Sequence, residues 1–187
     1  MELLNELLQL DHAVSEQAAG YRTVPATAFF ALASAWWIKG PLFVLAGMVK
    51  DISDRRLLPL TAAVVGLALL AADFLSGTIK EAVDRPRPPR ADPGFEAAVS
   101  LPASPSFPSG HATTTFACAV AIAVLVPRWR WPALAIAATV AIARVYLGVH
   151  YSIDVLAGAA LGTLIGLALA LTVRRLRQPA ITPAPAN

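Results

Sequence analysis

The 187-residue chain is 57% hydrophobic and 14% charged, with a mean hydropathy of +0.62. Soluble domains hold about 45–50% apolar and about 25% charged residues, so the composition excludes an ordinary one and points to an all-α, polytopic membrane helix bundle. The formal net charge is +3, but its distribution along the chain, described below, leaves no need for a nucleic-acid partner.

The chain begins MELLNELLQLD, with Leu3, Leu4, Leu7, Leu8 and the later Val14 at helical spacing opposite Glu2, Glu6, Gln9 and Asp11. Residues 1–20 are therefore expected to form an amphipathic helix at the membrane interface or against the bundle. Glu2 and Glu6 stand where a leader would be basic, so no cleavable signal peptide is expected. A span needs about 20 mostly apolar residues, and segments 57–79, 109–126, 131–149 and 152–174 meet that need. A fifth, 24–50, is broken by Lys39-Gly40-Pro41 and reads either as one kinked span or as a half-helix followed by a span. With the N-terminal helix this makes about five to six helices. Pro127 and Pro132 bracket a tight turn between two spans. Cys118 is the single cysteine and lies in an apolar run, so it cannot close an internal disulfide and reads as a buried thiol. Residues 1–177 are read as one domain, and 178–187 (QPAITPAPAN) as a disordered tail.

Basic residues orient the bundle. Lys50, Arg55 and Arg56 fall in one loop, Arg128 and Arg130 in another, and Arg174, Arg175 and Arg177 follow the last span. With five spans all three clusters share one side, which the positive-inside rule makes cytoplasmic. Trp129 and Trp131 suit the aromatic belt there. The expected location is the inner, cytoplasmic membrane, with a cytoplasmic C-terminus and the long loop 80–108 facing out. That outer loop nonetheless carries Lys80, Arg85, Arg87 and Arg90, and seven of the fifteen prolines. A stiff loop with positive charge on the disfavoured side is suited to binding an anion.

Three segments at the outer ends of the spans carry the chemistry: Lys80-x6-Arg87-Pro88, Pro108-Ser109-Gly110-His111, and Arg144-x5-His150-x3-Asp154. His150 and Asp154, four apart, share a face if the stretch is helical. Asp154 could then accept from one imidazole nitrogen and leave the other free to attack. His111 is a second imidazole able to protonate a leaving group. Lys80, Arg87 and Arg144 supply fixed positive charge for phosphoryl oxygens. Ser109, Gly110 and His111 open a helix, whose free N–H groups favour an anion. No metal-ligand set is apparent among these cations, so no metal or other cofactor is expected. Each residue alone has an ordinary use: Ser109 as a helix cap, Lys80 as a span anchor, Arg144 and Asp154 as an ion pair. Their gathering at one face is what points to catalysis.

These three segments resemble the signature of the type 2 phosphatidic acid phosphatase family, whose pattern is Lys-x6-Arg-Pro, Pro-Ser-Gly-His and Ser-Arg-x5-His-x3-Asp. The resemblance covers about 80–154 at full internal spacing. It implies a metal-independent lipid phosphatase of the undecaprenyl-diphosphatase or phosphatidylglycerophosphatase B type, embedded in the bilayer. Lys80, Arg87, Ser109, Gly110 and Arg144 would bind phosphate, His150 would be the nucleophile, His111 the acid and Asp154 the orienting carboxylate. Undecaprenyl diphosphate is the first substrate expected, with phosphatidylglycerol phosphate and phosphatidic acid next. The chain departs from the pattern at Ala143, where the family has serine, and one hydrogen bond to phosphate or to a neighbouring residue is expected to be missing. Two other readings remain: a vanadate-dependent haloperoxidase, and a membrane protein that binds lipid phosphates without catalysis.

Further features stand outside the motifs. Asp73, seven residues before Lys80, shares its helical face. Gly158, Gly162 and Gly166 form a small-residue stripe suited to packing within the bundle, or to a homodimer. Thr113, Thr114 and Thr115 follow His111, and one of them could reach the site. His12 is expected at the interface.

Overall fold

A computed structural model describes residues 2–35, 38, 40–55 and 59–176, which form helices and turns with no strand among the described residues. In chain order they are α1 (Glu2–Gly20), α2 (Val24–Ala33), α3 (Pro41–Ser53), α4 (Leu60–Val83), a short α5 (Pro88–Ala91), α6 (Gly110–Leu125), α7 (Arg130–Tyr146) and α8 (Ser152–Leu176). The expected tail at 178–187, together with Lys39, Arg56 and Arg177, lies outside the described residues, as do the side chains of Leu3, Leu4, Leu7 and Leu8.

The broken segment 24–50 resolves into two helices. Thr23 caps the first, its Oγ1 accepting from the Ala26 N–H at 3.4 Å, and Pro41 opens the second. They run one after the other along α7. Phe30 of α2 packs on Tyr146 with ring centroids 4.6 Å apart, while Phe43 of α3 lies beside Ala133 near the other end. Together α2 and α3 make a single pass, interrupted midway. Asp51 then turns the chain back: its buried Oδ2 accepts from the Thr61 and Ala62 N–H groups at 2.7 and 3.0 Å. This satisfies two orphan donors at the start of α4, a cap worth about 1 kcal/mol. Asp84, in the left-handed conformation with φ 47°, ends α4 one turn beyond Lys80.

α6 is the central helix, packed against α4, α7 and α8. Ala112, Thr113, Ala117, Cys118, Ala119, Ala121 and Ile122 along it are all buried. Among hydrocarbon tails, burying apolar side chains gains little, so close packing has to hold such helices together. The glycine stripe supplies it. A Cβ on Gly158 would lie 2.6 Å from the Ser109 carbonyl oxygen, and one on Gly162 or Gly166 would collide with the backbone of Thr113 or Ala117. The stripe is thus taken up by the α6–α8 contact and is not offered to a second copy.

Outward from this core the surface is apolar, with Leu67, Leu70 and Phe74 of α4, Ile142 of α7, and Leu156 and Leu164 of α8 exposed. Leu60–Ala91 and Ser152–Leu176 are long and apolar enough to cross a membrane. The alternating passes put Lys50, Arg55, Arg128, Arg130, Arg174 and Arg175 at one end of the bundle. The ends bearing Lys80, Ser109, Arg144 and Asp154 gather at the other.

The close approach at Gly162 gives a direct test by thermal unfolding in detergent. Gly162→Ala must push α6 and α8 apart and should destabilise by about 1–3 kcal/mol. Gly66→Ala, where a Cβ meets nothing within 4 Å, should stabilise by about 0.5–1 kcal/mol. A Gly162→Ala protein as stable as its parent would contradict the packing described.

Candidate active site

All eight motif residues come together at one end of the bundle. Lys80 sits in the last turn of α4, Arg87 at the start of α5, Ser109 to His111 at the start of α6, Arg144 in the last turn of α7, and Asp154 in the first turn of α8. His150 stands in the turn 147–151, held there by local geometry. Gly148 has φ +73°, and a Cβ on it would come within 2.8 Å of the Phe95 ring, so glycine is required. Lys80, Arg87, Gly110, His111, Arg144 and His150 line a pocket of about 270 Å³. Ser109 and Asp154 are buried behind its wall, where the Ser109 N–H donates to the Asp154 carbonyl at 2.9 Å.

The proline-rich loop shapes the cations. Lys80 Nζ donates to the carbonyls of Pro105 and Ser106 at 2.7 and 3.2 Å. Ser106 is itself strapped to 85–86, its N–H donating to the Arg85 carbonyl at 2.8 Å. Arg87 is only 2% exposed. Its Nε donates to the Ser104 carbonyl at 2.8 Å, Nη1 to the Val149 carbonyl at 2.7 Å, and Nη2 to Ser104 Oγ and the Pro105 carbonyl at 3.2 and 3.3 Å. Its remaining contact is Nη1 to His150 Nε2 at 3.1 Å.

That contact assigns the histidine tautomer. A guanidinium has five donors and no acceptor, so His150 Nε2 is the accepting, lone-pair nitrogen and the proton sits on Nδ1. Nδ1 faces Asp154 Oδ2 at 3.5 Å. This is longer than a hydrogen bond, and the buried Nδ1 has no closer acceptor. Asp154 Oδ2 also accepts from the Tyr151 N–H at 3.0 Å. Burial is the main cause holding the imidazole far below its usual 6.5, at about 3; the charges of Arg87 and Arg144 add to it, and Asp154 opposes them.

Two buried polar atoms at the site, Ser109 Oγ and Arg144 Nε, have no hydrogen-bond partner among the described protein atoms. Such groups cost about 1–3 kcal/mol each; Arg144 lines the pocket, where an anion would meet it, whereas Ser109 lies behind the wall. Gly110 leaves room beside them, since a methyl there would only touch Ser76 Oγ at 3.6 Å and Lys80 Cε at 3.8 Å.

Several sequence expectations are sharpened here. Ala143 is buried in an apolar cluster with Leu147, Val149 and Phe30 and does not line the pocket. Thr113, Thr114 and Thr115 each bond back to a carbonyl one turn earlier, at 2.9, 2.9 and 2.6 Å, and none lines the pocket. Asp73 does line it, with Ser76 and Gly77. His12 lies between Glu16, 3.5 Å from Nδ1, and Asp92, 3.9 Å from Nε2, away from the pocket. Sequence reasoning did not find Arg85, whose Nη1 donates to Asp154 Oδ1 at 2.6 Å and whose Nη2 donates to Asp11 Oδ2 at 2.9 Å. Its only signal was a positive charge in the outer loop.

A model of the PAP2 superfamily matches residues 60–178, a stretch that holds every motif residue. A lipid A 1-phosphatase from Rhizobium johnstonii is 39% identical over 106 residues, which is 54% of this chain and 43% of the relative. A decaprenylphosphoryl-5-phosphoribose phosphatase from Mycolicibacterium smegmatis is 36% identical over 127 residues, 67% of this chain and 63% of the relative. The chain thus matches only part of the length of these relatives. The crystal structure of a transmembrane PAP2-type phosphatidylglycerolphosphate phosphatase from Bacillus subtilis superimposes with TM-score 0.77 at 25% identity, covering 94% of this chain and 90% of that one.

Because the folded chain keeps His150 neutral while an unfolded chain protonates it near 6.5, stability is complete above about pH 6.5 and falls as the pH drops from there towards 3. In a ¹⁵N titration of labelled histidine, His150 should stay neutral, with the proton on Nδ1, down to about pH 5. Protonation near 6.5 would contradict the buried site.

Proposed function

Because the chain belongs to the PAP2 superfamily, we propose that it is an integral-membrane, metal-independent lipid phosphatase that works through a phosphohistidine on His150. The observation that carries this reading is the pairing of a buried donor, Arg144 Nε, without a partner among the described residues, with a histidine in the same pocket whose lone-pair nitrogen meets Arg87. A binding protein would need the donors but not the nucleophile.

The chemistry follows from the placements. A phosphoryl group entering the pocket takes hydrogen bonds from Arg144, Lys80 and the Gly110 end of α6, and from Ser109 once its buried hydroxyl turns out of the wall. It also draws Arg87 Nη1 away from His150 Nε2, which frees the lone pair. Nε2 attacks phosphorus, the bond to the leaving oxygen breaks, and His111 delivers its proton to that oxygen. The phosphorylated ring keeps its Nδ1 proton, and Asp154 stabilises the positive charge. Water, deprotonated by the now neutral His111, then attacks phosphorus; phosphate departs and the histidine is restored. The arginines and lysine take the part that a divalent ion plays elsewhere.

The lipid tail would reach the pocket laterally, past Asp73 and Gly77 on α4. The site faces the extracytoplasmic side, and the C-terminus is cytoplasmic, by the distribution of basic residues. The candidate substrates are lipids ending in a phosphate monoester or diphosphate. Undecaprenyl diphosphate, phosphatidylglycerol phosphate and phosphatidic acid come from the sequence. The phosphate-bearing sugar lipids in the names of the bacterial relatives extend that range.

The test is phosphate release by purified protein in detergent, with EDTA, over a panel of these lipids. At least one should be hydrolysed, and His150→Ala should lose at least about 10³-fold in kcat, as loss of a nucleophile does. Unchanged turnover in His150→Ala, or activity abolished by EDTA and restored by a divalent ion, would overturn the proposal. Halide oxidation with added vanadate, in the absence of phosphate release, would favour the haloperoxidase reading instead.

A further inference from the structure

Asp154 has two carboxylate oxygens, and only one of them is turned towards His150. Oδ2 faces the imidazole and the Tyr151 N–H. Oδ1 is held by Arg85 Nη1 at 2.6 Å. The same guanidinium uses Nη2 to reach Asp11 Oδ2 at 2.9 Å, and it lies over the Tyr151 ring with Cζ 4.1 Å from the centroid. Asp11 spends its other oxygen on the Ile153 N–H, one residue before Asp154, at 2.9 Å. The chain therefore runs from α1 to the orienting carboxylate by two routes, through Arg85 and through the first turn of α8. The side chains of Asp11 and Asp154 are 1% and 0% exposed, and that of Arg85 only 18%.

We propose that Asp11 and Arg85 are positioning residues for this site, a relay by which the N-terminal helix sets the orientation and charge of Asp154, and through it the hold on the Nδ1 proton of His150. The inference rests on His150 as the nucleophile. Two physical arguments support it. Arg85 fixes the rotation of the Asp154 carboxylate, which otherwise could turn its plane away from Nδ1. Arg85 alone, however, would cancel the charge of Asp154 and weaken its hold on the imidazolium-like ring formed by phosphorylation. Asp11 balances Arg85, so the three groups together keep one negative charge beside His150. Asp11 lies outside the stretch 60–178 that matches the family model, so the relay adds an element beyond the three motifs. Neither residue lines the pocket, so neither touches phosphate.

The alternative is that Asp11 and Arg85 merely dock α1, and the two uses separate in experiment. Asp11→Asn keeps an acceptor for the Ile153 N–H and removes the charge. Arg85→Lys keeps the charge but cannot fork between two carboxylates, and Arg85→Met removes both. Each full-length variant would be compared with the parent for melting temperature, affinity for inorganic phosphate, kcat and KM on the best lipid of the panel, and the histidine ¹⁵N spectrum. Positioning predicts a kcat lowered about 10–100-fold, the usual effect of losing a partner that orients a reactive group. KM and phosphate affinity should stay within about 2-fold of the parent. The double variant Asp11→Asn/Arg85→Met should lose little more than the worse single one. The ¹⁵N resonance of His150 Nδ1 should move towards that of a free N–H as its contact with Asp154 loosens, while Arg87 keeps the lone pair on Nε2. A kcat within about 3-fold of the parent would overturn the relay, as would a kcat that falls only in step with phosphate affinity and melting temperature. Should the parent release no phosphate from any lipid, the phosphatase reading fails, and the ¹⁵N spectrum alone decides the relay. An unchanged His150 Nδ1 resonance in Asp11→Asn and Arg85→Met overturns it.

Discussion

The hydrogen bonds of the Arg87 guanidinium are what the rest of the site depends on. This nearly buried cation joins three parts of the chain: the proline-rich loop at Ser104 and Pro105, the turn carbonyl of Val149, and the imidazole of His150. A buried cation with unmet donors would be expelled or would reorganise its surroundings. Here every N–H finds an acceptor, and that requirement dictates the shape of the loop. Between α5 and α6 the carbonyls of Ser104 and Pro105 point inward to meet the guanidinium. Lys80 uses the same device with Pro105 and Ser106. One consequence is chemical: because Arg87 can only donate, it selects the His150 tautomer in which Nε2 holds the lone pair.

Bringing three cations, two histidines and a carboxylate to one end of a bundle requires helices that do not drift. The α6–α8 contact provides this through backbone approach at Gly158, Gly162 and Gly166. That close contact lets the Ser109 N–H reach the Asp154 carbonyl, which ties the start of α6 to the start of α8. α7 is positioned by the interrupted pass of α2 and α3, and its Arg144 is delivered with an unpaired Nε. The apolar outer surface of α4, α7 and α8 is solvated by lipid, so the polar site is confined to the bundle's end.

Much of this was legible in the sequence because the relevant signals are local. Apolar runs located the passes to within a few residues, although α4 continues to Val83 where hydropathy alone stops at 79. Helix propensity carries it past Lys80 until Asp84 turns left-handed. Motif spacing identified the eight residues that converge. The contacts of Arg85 and Asp51 were not legible. Arg85 meets partners 69 and 74 positions away, and no periodicity encodes such a pairing. Asp51 is buried as the cap of the next helix, and no local pattern marks its bonds to residues 10 and 11 positions on. Nor was the setting of Ala143 legible: it stands beside Arg144 in the sequence, and the helical turn directs its methyl into the apolar cluster of Leu147 and Val149.

The central claim is a covalent bond between phosphorus and His150. It is tested most directly by rapid quenching of the protein during turnover of a lipid substrate labelled in its terminal phosphate. A phosphohistidine is stable to alkali and labile to acid, so alkaline digestion and peptide mapping can locate it. Label should appear on the peptide containing His150 and disappear on chase with unlabelled lipid at a rate no slower than turnover. Steady hydrolysis with no protein-bound label, or label on His111 in place of His150, would contradict it.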